Sequence, residues 1–390
     1  MEYYKVDPHK PDVKSIQAAV EVLKKCGIIV YPTDTLYGLG VDILQDKAIN
    51  KLFLVKKRRN DAPVSFIVDS IDSIEKLIGE IEPEIKKILE QILPGKYTVL
   101  LENKDPDSAI NLKLLNGHTK KDKRLGIRIP DHPICHELAI QMDGPIASTS
   151  ANLSGEKNAL TITEIIAQFG NKIDLILDAG KMKSSAGSTV IDFTKRPYLI
   201  MREGDISIKE LQEKLPDITF NKRRTVFSVN FVCSGNICRS PMAEGIFKKM
   251  IEKTRFKDII EVRSAGTLDL SNVHAHDFSI KVADDNGVDL SHHRARHINK
   301  RIIEDSDLIF CLAMNHLTYL KSHYPNYKNK FFLLKEWKRE KRLSNPSIAD
   351  PIGHELKFFN ETYNEITTEL KRIFPELMSL IKDFIEYNDL

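Results

Sequence analysis

Residues Val226–Phe247 read VFSVNFVCSGNICRSPMAEGIF. An apolar run ends at Cys233, a loop of small polar residues follows, and an amphipathic stretch opens at Pro241, a residue suited to the first position of a helix because its missing N–H would have no partner there. The pattern predicts a strand, a loop and a helix. In such a turn the loop N–H groups and the helix N-terminus converge on a small volume of positive potential, which suits a phosphoryl dianion and also a thiolate. Arg239 follows Cys233 by six residues, so its planar fork returns to the same volume, where it can hold two equatorial phosphoryl oxygens into a trigonal-bipyramidal transition state. Thiolate attack on a phosphate ester needs a proton donor for the leaving oxygen. Asp350, in the loop sequence SIADPIGHE, is the candidate. Alone it reads as a turn residue before proline; beside Cys233 and Arg239 it reads as an acid.

The rest of the chain frames this stretch. Its 390 residues exceed what one hydrophobic core usually organises, so two domains are expected. With 42% hydrophobic and 29% charged residues the composition is that of ordinary globular domains. No apolar run is long enough for a bilayer, and MEYYKVDPHK lacks the layout of a signal peptide, so a cytoplasmic protein with no membrane partner is expected. Cys26, Cys135, Cys233, Cys238 and Cys311 are odd in number and scattered, which argues for reduced thiols; Cys311, in DLIFCLA, reads as core. Residues 1–210 carry 30 Lys and Arg against 30 Asp and Glu, leaving 28 against 25 beyond them. Neither half is a polycation, so the charge that drives strong sequence-independent nucleic-acid binding is not evident over the chain as a whole, which leaves local clusters.

Short β-rich runs alternate with amphipathic stretches throughout, the mark of α/β domains. The expected strands include 27–31, 97–101, 125–129, 175–177, 189–193, 226–232, 261–264 and 308–312; the expected helices include 13–25, 48–55, 83–92, 241–254, 279–286 and 361–388. Where this pattern lapses into charge, at 208–224, with a short polar helix after Ser207, then Pro216 and the basic Lys222–Arg224, a linker is expected between domains at 1–207 and 225–390.

Residues 225–390 resemble a low-molecular-weight protein tyrosine phosphatase. CSGNICRSP matches that family's Cys-x5-Arg-Ser/Thr loop, Ser264-Ala-Gly-Thr267 its second turn, and Asp350-Pro351 its acid. The resemblance implies Cys233 as nucleophile, Arg239 as transition-state clamp, Ser240 as hydroxyl donor to the sulfur, and Asp350 as general acid and then base. Asn236, Ser264 and His293 would hold the loop's shape. It also implies a doubly wound four-stranded parallel sheet, no metal and no cofactor. Cys238 would trap an oxidised Cys233 as a reversible disulfide, though on chemistry alone it reads equally as a small buried filler. The implied substrate is a phosphorylated protein, phosphotyrosine first, or a small phosphate ester. Ile237 is similar to the tyrosine-directed members rather than the arginine-phosphate branch, whereas Ile352-Gly353-His354 supplies no aromatic ring directly after Asp350-Pro351.

In the first half no G-x-x-x-x-G-K-[ST] loop occurs, so any ATP chemistry there uses another grip. Small hydroxyls and cations instead gather at the ends of apolar runs, in Tyr31–Gly38, Lys56–Arg58, Gly126–Arg128, Ser148–Asn152 and Ser188–Asp192. That set suits a cleft for an anionic, hydroxyl-bearing ligand, although Lys56–Arg59 alone reads as a solvated helix face. Residues 13–207 resemble the YrdC-like threonylcarbamoyl-AMP synthases through YPTDTLYGLG, KKRRNDAPVSF, LPGKYTVLL, GIRIPDHP, STSANLSG and STVIDF…MREGDI, in that order. VSFIV after Pro63 is similar to the YciO-like branch.

The resemblance implies a twisted mixed α/β sheet and the reaction of L-threonine, bicarbonate and ATP, as its Mg²⁺ complex, to threonylcarbamoyl-AMP and pyrophosphate, a step toward modification of adenosine 37 in tRNA. Lys56 and Arg58 would hold ATP phosphates, Thr33 and Arg128 would lie at threonine, Ser148, Ser150 and Asn152 would line the shared wall, and Ser188 and Arg202 would close the cleft, with Tyr37 at its floor. Weak binding of tRNA or double-stranded RNA, through Lys56–Arg59 and Lys120–Arg124, is a further expectation. His132-x2-Cys135-His136 lacks a fourth ligand and is read as no metal site. The leading expectation is thus a bifunctional enzyme. Its rival makes the first half a non-catalytic RNA- or nucleotide-binding module beside a phosphatase for phosphoarginine or a small ester.

Overall fold

In the first half, apolar residues alternate along short runs that form one mixed sheet with helices on both faces. The computed structural model describes residues 1–57, 64–104 and 124–390. Among them the strands of the first unit are β1 Glu2–Lys5, β2 Ile29–Pro32, β3 Tyr37–Asp42, β4 Ser65–Ile67, β5 Tyr97–Glu102, β6 Arg124–Arg128, β7 Ile146–Ser150, β8 Leu175–Asp178, β9 Thr189–Asp192, β10 Tyr198–Arg202 and β11 Phe220–Lys222. Their order across the sheet is β1-β8-β2-β3-β7-β4-β6-β5-β9-β10-β11. Parallel pairs such as β4 with β6 alternate with antiparallel ones such as β3 with β7. The pleat sends Ile28 and Val30 to one core and Ile29 and Tyr31 to the other. Ile16, Ala19, Val20 and Leu23 of the helix Val13–Lys24 pack in the second core with Ile134 and Leu138 of the helix Pro133–Met142.

Residues 208–224 are not a linker. Ser207 caps the helix Ile208–Lys214 through a capping box with Glu210, and β11 adds to the sheet edge beside β10. The charge of this stretch masks three buried residues, Leu211, Leu215 and Phe220, which belong to the first unit's core. The chain accordingly divides at Met1–Arg223 and Arg224–Leu390.

The second unit has four parallel strands, β12 Phe227–Cys233, β13 Ile260–Gly266, β14 Leu308–Cys311 and β15 Phe331–Leu333, in the order β13-β12-β14-β15. Phe227, Val229 and Phe231 pack under the helices Arg239–Glu252 and Leu356–Asn388, while Val232 faces the opposite core with Ile303 and Leu320. The last helix buries Phe359, Tyr363, Ile366, Leu370, Ile373, Leu377 and Ile381 along one stripe and starts at Leu356, earlier than the spacing predicts. The helix after Cys233 begins at Arg239, not at Pro241. Proline is tolerated in its first turn because the N–H groups there have no intrahelical acceptor. Among the described residues no helix is long and apolar enough to cross a membrane.

Candidate functional site

β12 leads to β13 on one side and pairs with β14 on the other, so the strand order reverses at its C-terminal end. That switch point leaves a crevice, and Cys233 ends the strand in it. The Cys233 Sγ lies 2.9 Å from Ser240 Oγ and accepts the Asn236 N–H at 3.3 Å. Asn236 has a left-handed backbone, φ 55°, and pins the loop with its side chain: Nδ2 donates to Ser240 Oγ (2.9 Å) and Ser264 Oγ (2.8 Å), while Oδ1 accepts the Arg296 N–H (2.9 Å). The His293 ring donates through Nε2 to the Asn236 carbonyl at 2.8 Å, and Ser264 Oγ donates to Glu244 at 2.5 Å. The turn after β13 closes on the loop through Thr267 N–H to Cys233 O and Leu268 N–H to Ser234 O. Gly266 permits that approach, since a Cβ there would meet Ser234 O at 2.6 Å.

Arg239 is buried, with Nη1 donating to Ile348 O at 3.1 Å and Nη2 paired with the Asp350 carboxylate. Its Nε is buried without a hydrogen-bond partner among the described residues. Cysteine, arginine and acid are therefore gathered at one crevice from the end of β12, the start of the next helix and a distant loop. Cys238 is the N-cap of that helix, and burial pushes its thiol up to about 12. Cys311 is a buried β14 residue whose thiol is likewise raised by burial.

His316 was not legible as part of this site. It is fully buried, accepts the Ala313 N–H on Nδ1 at 3.1 Å and therefore donates from Nε2 to Ser234 Oγ at 3.0 Å. Burial, and then the neighbouring Arg239 cation, lower its pKa to about 3, so it stays neutral. The only signal was its place in the first turn of a helix following an apolar strand.

In the first unit, register does the gathering. β3 pairs with β7 so that Gly40 meets Ser148, β7 with β4 so that Ser148 meets Ser65, and β4 with β6 so that Ser65 meets Gly126. A Cβ on Gly126 would face Thr98, whose hydroxyl lies 2.7 Å from Ser188 Oγ. This row aligns small and hydroxyl side chains across the sheet, with the Tyr31 ring packed over Gly40 and Leu100 beside Gly126. Two guanidiniums stand beside it. Arg128 Nη2 pairs with Asp34 at 2.7 Å and reaches Thr35 Oγ1 at 3.2 Å, and its buried Nε has no hydrogen-bond partner among the described residues. Arg202 donates to Ser188 O at 3.0 Å and to its hydroxyl at 3.3 Å. Burial and then repulsion from Arg128 lower the Arg202 pKa, so the two cations share one field. Asp34 is pushed up by burial, against the pull of Arg128 and Lys96.

Thr33 Oγ1 donates to Leu36 O at 2.6 Å and lies 3.1 Å from Thr35 Oγ1, which fixes the turn that presents Asp34. The Ser148 and Tyr31 hydroxyls are 2.6 Å apart. Lys56 is buried, and its ammonium donates to Ser150 O at 2.7 Å and Asn152 O at 2.5 Å; Ser150 Oγ in turn donates to Asn152 Oδ1 at 2.5 Å. Tyr37 donates to Gly180 O at 2.7 Å. Arg58 and Lys120 lie outside the described residues. His132 caps its helix by accepting the Ile134 N–H at 3.2 Å, and the Cys135 thiol contacts Pro32 O at 3.3 Å, so both have structural work.

A thiol in a phosphate-type loop on a doubly wound sheet, and in the other unit a row of hydroxyls flanked by guanidiniums on a mixed sheet, define a two-domain α/β enzyme. The family model Sua5/YciO/YrdC, described as "Telomere recombination", matches residues 21–204, and that of the low molecular weight phosphotyrosine protein phosphatases matches 228–383. A candidate threonylcarbamoyl-AMP synthase of Methanocaldococcus jannaschii is 36% identical over 184 residues, which are 47% of this chain and 83% of that protein. A solved low molecular weight protein tyrosine phosphatase from T. tengcongensis is 32% identical and covers 38% of this chain and 99% of its own, with TM-score 0.36. The YwlE arginine phosphatase from Geobacillus stearothermophilus is 25% identical over 40% of this chain and 96% of its own, with TM-score 0.36. The chain belongs to the Sua5/YciO/YrdC family, with a low-molecular-weight phosphatase domain as its second unit.

Proposed function

We propose that the chain is a bifunctional enzyme, a threonylcarbamoyl-AMP synthase joined to a cysteine-dependent phosphatase directed at aryl phosphates, phosphotyrosine first. The observation that carries the second activity is the convergence of Cys233, Arg239 and Asp350 on one loop. Cys233 Sγ attacks phosphorus while the bond to the leaving oxygen breaks and Asp350 protonates that oxygen. Asp350 then takes a proton from water, which attacks the phosphocysteine, breaks the P–S bond and releases phosphate. Ser240 and the Asn236 N–H stabilise the sulfur anion. The dianion offers Arg239 a bidentate partner, including an acceptor for its unpartnered Nε, and draws the guanidinium away from Asp350. This chemistry needs no cofactor. The preference for an aryl group rests on the apolar rim: Ile352 and Leu270 are exposed, and Leu270 packs beside Gly235 and Ile237 of the loop.

In the first unit, threonine's amine adds to carbon dioxide derived from bicarbonate, and a carbamate oxygen attacks the α-phosphorus of Mg²⁺-bound ATP, expelling pyrophosphate. Arg128 and Arg202 meet the anionic groups, Thr33 and the Ser148–Asn152 turn line the ligand, and Lys56 braces that turn besides reaching phosphate, with Arg58 beside it. The product would serve adenosine 37 modification of tRNA. Five free thiols suit a reducing, cytoplasmic setting.

The test pairs two assays on the full chain. Threonine- and bicarbonate-dependent release of pyrophosphate from ATP supports the synthase; salt-sensitive duplex-RNA binding without that release would replace it by a binding module. Phosphotyrosine peptide, phosphoarginine peptide and small phosphate esters are then compared side by side, with the highest kcat/KM expected for the first.

Asn236 offers a second test. Asn236→Ala removes three side-chain hydrogen bonds and leaves alanine at positive φ, so the second unit should lose about 3 kcal/mol in a denaturant melt. Asn236→Gly relieves the backbone alone and should recover about 1 kcal/mol of it.

A further inference from the structure

A cavity of about 520 Å³ opens between the helix Arg239–Glu252 and the 289–296 segment, lined among others by Glu244, Lys248, Leu290, His292, Arg294 and Arg296. No residue of the loop Cys233–Ser240 lines it. Three permanent cations, Lys248, Arg294 and Arg296, face two acids, Glu244 and Asp289, and both acids are already engaged. Glu244 accepts Ser264 Oγ and Lys248 Nζ, each at 2.5 Å, and Asp289 accepts the Ser291 N–H at 2.8 Å. Arg294 is oriented by its bond to the His293 carbonyl at 2.8 Å. Arg296 forms no ion pair among the described residues; burial first, and then Arg296 and Lys248 against the pull of Glu244, lower the pKa of His293. With Lys248 paired to Glu244, Arg294 and Arg296 face Asp289 as the remaining charges of the lining; the cavity's size is that of small-molecule sites, and Leu290 and Ala295 add apolar wall.

We propose that this cavity is a second ligand site, for a phosphate-bearing metabolite of nucleoside monophosphate size, and that its occupancy is coupled to the catalytic loop. The coupling has named parts. From the floor, Glu244 holds Ser264, which accepts from Asn236; from the wall, His293 and the Arg296 N–H hold the Asn236 carbonyl and side chain. Asn236 then contacts both the Cys233 sulfur and Ser240. A phosphate group tying Arg296 and Lys248 together favours the wall conformation in which Asn236 is held, and with it the anion-accepting loop. Linkage makes the effect reciprocal: an oxyanion in the loop tightens the second site by the same factor, about fivefold for a modest coupling.

The binding arm does not depend on turnover, so it stays readable if the proposed phosphatase activity fails. Calorimetry on the full chain with the loop saturated by orthovanadate uses AMP, ribose 5-phosphate, pyrophosphate and inorganic phosphate as separate probes. Wild type should bind one more equivalent of AMP than Arg296→Gln or Lys248→Gln, because AMP held by the first unit is common to all three. In the kinetic arm AMP should lower KM for p-nitrophenyl phosphate about fivefold in wild type and leave each variant at its own KM without AMP. AMP acting as a competitor at the loop would raise KM instead. Equal AMP stoichiometry in wild type and variants overturns the site; a raised or unchanged wild-type KM overturns the coupling; full reproduction of both effects by inorganic phosphate overturns the nucleotide-sized ligand.

Discussion

Cys233→Ser should lower p-nitrophenyl phosphate hydrolysis by about 10⁴-fold or more, the scale on which removal of a covalent nucleophile is felt. The exchange is nearly isosteric, and the Asn236 N–H and Ser240 hydroxyl can still hydrogen-bond the new oxygen, so the fold should melt within about 1 kcal/mol of wild type. What changes is the nucleophile: a serine hydroxyl holds its proton far more tightly than a thiol, and among the described residues no base stands within hydrogen-bond distance of position 233 to take it. Threonine-dependent pyrophosphate release should be unaffected. Asp350→Asn should cost about 10²- to 10⁴-fold, and less for esters whose leaving group is already a weak base, because only a poor leaving group needs the proton. A loss independent of the leaving group would make Asp350 a brace for Arg239 rather than an acid.

The site of the second unit was legible because its chemistry is local: Cys233, Asn236, Arg239 and Ser240 sit on one strand–loop–helix turn, and the apolar run before it and the helical spacing after it fix the turn's geometry. His316 is hidden in the sequence because its contact with Ser234 comes from the helix after the neighbouring strand β14, 82 residues away in the chain. In the first unit the polar motifs are visible in the sequence, but the strands β3 and β7 that carry them are not. YGLGVD and IASTS carry too many small residues to give an apolar alternation. Those small residues let the Tyr31 ring close over Gly38 and Gly40, where a Cβ would meet it at 3.0 and 2.8 Å, so the property that conceals the strands is the one that lets the sheet pack there. Residues 208–222 differ in the opposite sense: the short polar helix is visible, but buried Leu211, Leu215 and Phe220 are too few among charges to announce that it packs on the first unit or that an edge strand follows.

The second large effect concerns Arg128. Its guanidinium and the Asp34 carboxylate are almost wholly buried, with side-chain exposures of 13% and 4%. Breaking such a pair from one side strands a buried charge, a loss of about 3–5 kcal/mol. Arg128→Ala should therefore destabilise the first unit and also lower threonine-dependent pyrophosphate release by about 10²- to 10³-fold, the range seen when one donor to developing negative charge is removed. The two losses separate in the double variant. Asp34→Asn with Arg128→Ala leaves no stranded carboxylate, so the melting transition should recover most of its shift while pyrophosphate release stays low. Activity returning together with stability would make Arg128 a structural partner of Asp34 alone and would move the anion site to Arg202. The Arg128→Lys variant sharpens the distinction: a point charge can still neutralise Asp34 but cannot also present a planar fork, so stability should be largely kept while the threonine KM rises.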